Sequence, residues 1–158
     1  MFREMRRHAQ QMDAASAIEV LENGKTGILA VLGDMGYPYT VPLNYAYRDN
    51  KIYFHCARSG HKLDAIRSCD KVSFCVIDMD EVVPETLSTD YRSVIAFGRA
   101  REVENKAELF GALRLIGEKY DVNRENMEKE LADPNLPVVV AVEIEHMSGK
   151  VAKRLVKK

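Results

Sequence analysis

Tyr53-Phe-His-Cys-Ala-Arg-Ser-Gly-His-Lys-Leu-Asp-Ala-Ile66 reads as a strand that breaks at Ser59-Gly60 and restarts as a helix. Arg58, His61 and Lys62 gather where that helix begins. A helix N-terminus carries partial positive charge and unpaired N–H groups, so acidic residues are preferred there. A capping box would place Glu or Gln three residues after Ser59, where this chain has Lys62. Cations on a positive helix end are accounted for if an anion, most simply a phosphate, binds between them. The plain alternative is that Arg58 and Lys62 point into water and repel only weakly.

Working outward, Asp13 to Asn23 is expected to be helical, capped by Asp13 and ended at Gly24. Thr26 to Leu32 has the length of a buried strand and closes on the turn Gly33-Asp-Met-Gly36. Tyr37 to Tyr47 alternates Val41, Leu43, Tyr45 and Tyr47 at period two, with Pro42 marking an edge, bulge or end. Asp49-Asn50 turns this strand into Lys51 to Cys56. After the helix His61 to Arg67, strands are expected over Lys71 to Asp78 and Tyr91 to Val103, with Gly98 a bulge or close approach. Asp80 to Asp90 has no clear period and contains Pro84, which reads as a loop. Lys106 to Tyr120 and Asn123 to Ala132 read as helices, and Pro137 to Ile144 as a last buried strand. The first three strands are joined by tight turns and so are taken as antiparallel neighbours. Six short antiparallel strands with helices at the margins fit a small β-barrel of α+β type. No GxGxxG is present and strands do not alternate with long helices, which disfavours a Rossmann fold.

The 158 residues fit one domain, able to bury roughly 70% of the unfolded surface. Lys and Arg total 23 against 24 acidic residues, a net charge of −1 that argues against a dedicated nucleic-acid binder. The tail from Lys150 to Lys158 is locally basic and reads as solvated. The three cysteines, Cys56, Cys69 and Cys75, form no CxxC and fit reduced thiols rather than a disulfide framework. No apolar run reaches membrane-spanning length, and Met-Phe-Arg-Glu-Met-Arg-Arg lacks the apolar centre of a secretory signal. A soluble, cytoplasmic protein is expected, without membrane or nucleic-acid partners.

His55, Cys56 and His61 invite a metal reading, but strand neighbours point to opposite faces and no CxxC or HExxH supports it. Ser59 lacks a nucleophile elbow, and Asp78, Asp80 and Glu81 read as a solvated run. No acid–base pair is recognisable, so any catalysis is expected to rest on a cofactor.

Gly36-Tyr-Pro-Tyr-Thr-Val-Pro-Leu-Asn-Tyr45, Ile52-Tyr-Phe-His55, Ser59-Gly-His-Lys-Leu-Asp-Ala-Ile66 and Tyr91-Arg-Ser-Val-Ile-Ala-Phe-Gly-Arg-Ala100 occur in the order seen in pyridoxamine 5′-phosphate oxidase-like flavoproteins. Within that superfamily the chain resembles the nitroimidazole-resistance (Nim-type) group, from about Asp13 to Lys150. The resemblance implies a six-stranded antiparallel split β-barrel with flanking helices and a single FMN-binding domain over 1–158. It also implies a homodimer with flavin at the interface.

On that resemblance the anion is the FMN phosphate, held by Lys62 with Ser59 and His61. Leu43, Asn44 and Tyr45 would lie beside the isoalloxazine, with Phe54 near the ring. Arg92 and Ser93 would reach the partner's cofactor. His55 takes the catalytic place, orienting the acceptor or supplying a proton. The implied activity is FMN-dependent reduction of a small acceptor such as a nitroimidazole, with electrons from NAD(P)H or a partner reductase. Arg154-Leu155 echoes a substrate-phosphate segment of the founding oxidase, but the chain has no Trp, which weighs against oxidation of pyridoxamine phosphate. The alternative is a non-catalytic module on the same barrel, holding flavin without turnover or haem through His55 or His61. A relative that has lost its cofactor and serves only as an interaction domain is the third.

Overall fold

The computed structural model describes residues 1–156, so the last two lysines of the basic tail, Lys157 and Lys158, lie outside the described residues. Helix α1 (Ala14–Asn23) begins where the Asp13 carboxylate accepts the Ser16 N–H at 2.7 Å. Strands β1 (Gly27–Leu32), β2 (Pro38–Leu43), β3 (Ala46–Arg48) and β4 (Lys51–Cys56) lead to α2 (His61–Ser68). Strands β5 (Lys71–Val83) and β6 (Ser88–Glu102) precede α3 (Lys106–Lys119) and α4 (Arg124–Ala132). Both helices are capped by asparagine side chains, Asn105 and Asn123. Strand β7 (Val138–Val151) completes one antiparallel sheet in the order β2-β1-β5-β6-β7-β4-β3.

The sheet has seven strands rather than six because the stretch Tyr37 to Tyr47 divides. β2 pairs with β1 at one edge, and β3 pairs with β4 at the other. Among β1 to β4, only the β1–β2 and β3–β4 connections are therefore hairpins between neighbours. In the second, Asp49 and Asn50 take positive φ of 51° and 61°, as a tight hairpin turn requires. The two edges are linked by Asn44 and Tyr45 alone, a reach of about 11 Å. A seven-stranded sheet whose edges lie that close must curl nearly into a barrel, left unclosed at this seam. Tyr45 turns inward to do this: it is fully buried and its hydroxyl donates to the Leu21 carbonyl at 2.6 Å.

Residues 80–90 are not a loop. They form the outer half of the β5–β6 hairpin, paired from Asp80↔Tyr91 to Val83↔Ser88, with Leu87 left-handed at the turn. Apart from the buried Asp90 at its base, that ribbon is largely uncovered on both faces, so its sequence carries no alternation to read. A register shift between Ile77 and Met79 further breaks the pattern. β7 extends to Val151 for the same reason, because its last third is polar and half-buried. Gly98 sits at a register shift against β7, where a Cβ would strike the Glu143 carbonyl.

Two cores result. Inside the barrel, Leu29, Phe74, Val94, Val140, Ile52 and Phe54 pack with Leu21 of α1 and Leu63 of α2. Outside it, Ile116 and Ala112 of α3 cover Ala46, Tyr53, Val139 and Ala141. Apart from Phe2, whose ring lies 5.5 Å from that of Phe97, the opposite outer face of β1, β5 and β6 is bare: Ile28, Leu32, Ile77, Ile95 and Phe97 are all exposed there. No helix among the described residues is long and apolar enough to cross a membrane.

Candidate functional site

Strand β4 ends at Cys56, and the chain turns through Arg58-Ser59-Gly60 into α2. Leu63, Ala65 and Ile66 anchor that helix in the inner core. Gly60 occupies the N-cap position with φ 135°, and no side chain caps the helix end. An added Cβ at Gly60 would meet nothing within 4 Å, so the space before this end is open. Lys62 is half-buried beside it. Among the described residues this end of α2 therefore combines unsatisfied N–H groups, an ammonium and the exposed Ser59, the donor set an anion needs.

His61 and Arg58 are more committed than Lys62. The His61 ring stacks on Tyr39 at 4.2 Å, and its Nε2 accepts the Asp34 N–H at 3.4 Å. Arg58 donates Nε and Nη2 to the Leu136 carbonyl at 3.2 and 3.1 Å.

His55 and Cys56 lie on opposite faces of β4. Cys56 is buried in the inner core, where desolvation raises its thiol above the usual range and disfavours a nucleophilic thiolate. His55 is exposed on the outer face and lines a cavity of about 600 Å³ with Asn44, Tyr120, Leu113, Ile116 and Met127. The Asn44 amide donates to the Lys25 carbonyl at 3.0 Å. The Tyr120 hydroxyl accepts the Tyr45 N–H at 3.1 Å and donates to the Lys25 carbonyl at 2.7 Å. The seam between the sheet edges is thus pinned where the cavity begins. Lys119 adds to the clasp, its ammonium 3.8 Å from the Tyr45 ring centroid. Burial pulls Lys119 down to about 8.

The expected site residues separate into four groups. Ser59, His61 and Lys62 share one turn, and His55 and Asn44 share the cavity. Phe54 and Tyr45 have fully buried side chains in the inner core, closed to a ligand, and the half-buried Leu43 packs against that core. The reason is the β4 alternation: with His55 outward, Phe54 must point inward. Arg92 and Ser93 stand apart. They lie near the start of β6, whereas β6 meets α2 where Glu102 pairs with Arg67 at 2.6 Å, about 33 Å further along the strand. Arg92 pairs with Asp78 and with Glu19 at 3.9 Å, which raises its pKa further through the Asp78 hydrogen bonds. Arg154, the other echo, pairs with Asp90 at the far end of the same strand. Tyr120, central to the seam, was not foreseen; a tyrosine ending a helix gives no signal of its contact partner.

The family model of pyridoxamine 5′-phosphate oxidase matches residues 13–151. The chain belongs to the pyridoxamine 5′-phosphate oxidase family. Solved structures of similar fold agree with that family's split barrel. A candidate 5-nitroimidazole antibiotic resistance protein from Bacteroides thetaiotaomicron superposes with TM-score 0.74 at 21% identity, covering 89% of this chain and 86% of its own. An FAD-binding protein from Mesorhizobium loti gives 0.66 at 26% identity, with 90% and 97% covered. An FAD- and haem-binding protein from Mycobacterium smegmatis gives 0.73 at 19% identity, with 90% and 73% covered. No curated protein matches the sequence. For a member of the pyridoxamine 5′-phosphate oxidase family, the uncapped α2 end, the open space before Gly60 and Lys62 suit a flavin phosphate.

Proposed function

We propose that this protein is a single-domain, cytoplasmic FMN-dependent reductase of a small acceptor, a nitroimidazole being one example. The observation that carries the reading is the uncapped N-terminus of α2, with Lys62 beside it and open space before it. Bound FMN would take electrons from NAD(P)H or a partner reductase and pass them to the acceptor. Lys62 would pair with the phosphate, the Ser59 hydroxyl and free helix N–H groups would donate to it, and His61 would brace the turn through Tyr39. Asn44 and the exposed His55 line one cavity, where His55 would orient the acceptor or deliver a proton. The apolar walls of that cavity suit a small, flat, weakly polar molecule.

The bare face of Ile28, Ile95 and Phe97 supports a homodimer, since covering it with a second copy removes exposed apolar surface. Such a partner is the only means by which Arg92 and Ser93 could approach a flavin, given their distance from α2 in one chain. The haem alternative is less well supported: the His61 Nε2 is already engaged with Asp34, leaving His55 alone.

The test is Lys62→Ala. Loss of a charge-assisted contact of about 1.5–3 kcal/mol weakens FMN binding roughly 10- to 150-fold. The fold should persist, because Lys62 is outside both cores. Unchanged FMN affinity in a folded variant would remove the phosphate from this site.

A further inference from the structure

The His55 cavity has two kinds of wall. One is fixed: Asn44 and Tyr120 are held to the Lys25 carbonyl, and Ile116 sits in the outer core. The other is α4, which contributes Met127 and Leu131. Its attachment is slight. Leu131 is the buried residue of that helix, and the ion pair of Glu128 with Arg114 of α3 spans 3.5 Å between half-exposed side chains. Such a surface pair contributes little. Met127 supplies a further contact. Gly117 of α3 is buried, and a Cβ built there would fall on the Met127 methyl group and 3.3 Å from the Met127 sulfur. The thioether therefore lies in a groove on α3 that exists because position 117 carries no side chain.

A methionine in that place is a wall that can yield. It is half-buried, unbranched and polarizable, and its three rotatable bonds let it refill irregular space. The groove at Gly117 gives it a path along α3, which a side chain at that position would block. His55 enters the cavity from β4, whereas Met127 enters it from α4. We propose that Met127 is the specificity-determining residue for the acceptor. The reducible group lies at His55, the acceptor's substituent lies against the Met127 thioether, and displacement of that thioether along Gly117 sets how large the substituent can be. This deepens the acceptor reading above and rests on it. The class favoured is a nitro-heteroaromatic with an aryl substituent, because a thioether packs well against ring edges.

The experiment titrates oxidised, FMN-loaded protein with 1-methyl- and 1-benzyl-5-nitroimidazole by calorimetry, with no reductant present. The two compounds share the nitro ring and differ in bulk. Wild type is compared with Met127→Ala, which enlarges the cavity, and Met127→Leu, which keeps its volume. The ratio of the benzyl Kd to the methyl Kd should fall at least about tenfold in Met127→Ala, the lower end of what added pocket space is worth. In Met127→Leu it should stay within about threefold of wild type, as volume-conserving swaps allow. A ratio unmoved in Met127→Ala, or moved equally in Met127→Leu, overturns the proposal and leaves the flavin site standing. The second readout is the methyl NMR spectrum of wild type labelled at its methionine methyl groups. The Met127 signal, identified by its loss in Met127→Leu, should move on adding the benzyl compound while that of Met79, on the outer ribbon, does not. Binding that leaves the Met127 signal in place also overturns it. Loaded protein that binds neither compound overturns the acceptor reading, and protein that takes up no FMN overturns the flavin reading, each with this inference.

Discussion

Tyr120→Phe probes the seam that turns an open sheet into a split barrel and sets the edge of the site. The substitution keeps the ring and removes one oxygen. That oxygen accepts the Tyr45 N–H at 3.1 Å and donates to the Lys25 carbonyl at 2.7 Å. The Lys25 carbonyl keeps the Asn44 amide and is reachable by water, so its loss costs little. The Tyr45 N–H belongs to a fully buried residue between β2 and β3, where the chain crosses from one sheet edge to the other. A buried donor left without a partner costs about 1–3 kcal/mol. Taking the middle of that range, about 2 kcal/mol, the melting temperature of a domain this size should fall by about 4–8 °C. Urea unfolding should show the same loss at an unchanged slope, because the surface exposed on unfolding hardly changes. Asn44 should be held less firmly, so flavin affinity should fall as well. A variant melting within a degree of wild type, with unaltered flavin affinity, would refute the view that this hydroxyl pins the seam.

Glu108 accepts hydrogen bonds from Arg101, at 2.8 and 3.1 Å, and from the Tyr53 hydroxyl at 3.0 Å. The Arg101 bonds, more than the Tyr53 bond, hold its carboxyl below the usual range. A depressed folded-state value means stability that is present above the ordinary carboxylate range and lost as pH falls through the folded value. Melting curves from neutral to acidic pH should therefore show the gap between wild type and Glu108→Gln closing on the acid side; a pH-independent gap contradicts this. Ile95→Lys places a charge in the middle of the bare sheet face, and light scattering should report a monomer where wild type is a dimer. An unchanged mass for that variant excludes this face as the interface. His55→Ala should leave flavin binding within about twofold and lower acceptor reduction by about 10²–10⁴, the usual range for a lost proton-transfer group. Unimpaired turnover removes His55 from the chemistry.

Most helices and strands were legible because their periodicity is produced by burial on one side. Asp13 to Asn23 and Lys106 to Tyr120 each show an apolar stripe that the barrel covers, and Val138 to Val142 is apolar because both of its faces are packed. The outer β5–β6 hairpin was not legible for the converse reason: residues 80–87 are almost entirely exposed, so hydrogen bonding alone holds them and leaves no mark in side-chain pattern. The division of Tyr37 to Tyr47 was half visible. Pro42 announced an interruption, but the break falls two residues later, at Asn44 and Tyr45, set by the Tyr120 contact from 75 residues away. At the site, the conflict between Lys62 and a helix N-terminus is a local matter and could be read directly. Phe54, expected beside the ring, is instead buried, because strand alternation turns it inward when His55 faces out. The separation of Arg92 from α2 depends on which end of β6 lies against that helix, a long-range contact that a strand's sequence does not state.

The most direct measurement is the absorption spectrum of the purified protein, as isolated and again after incubation with flavin and desalting, in wild type and Lys62→Ala. The account predicts flavin bands that survive desalting in wild type and fade in the variant, with no Soret band. A colourless wild type that takes up no added flavin, or a Soret band in its place, would contradict it.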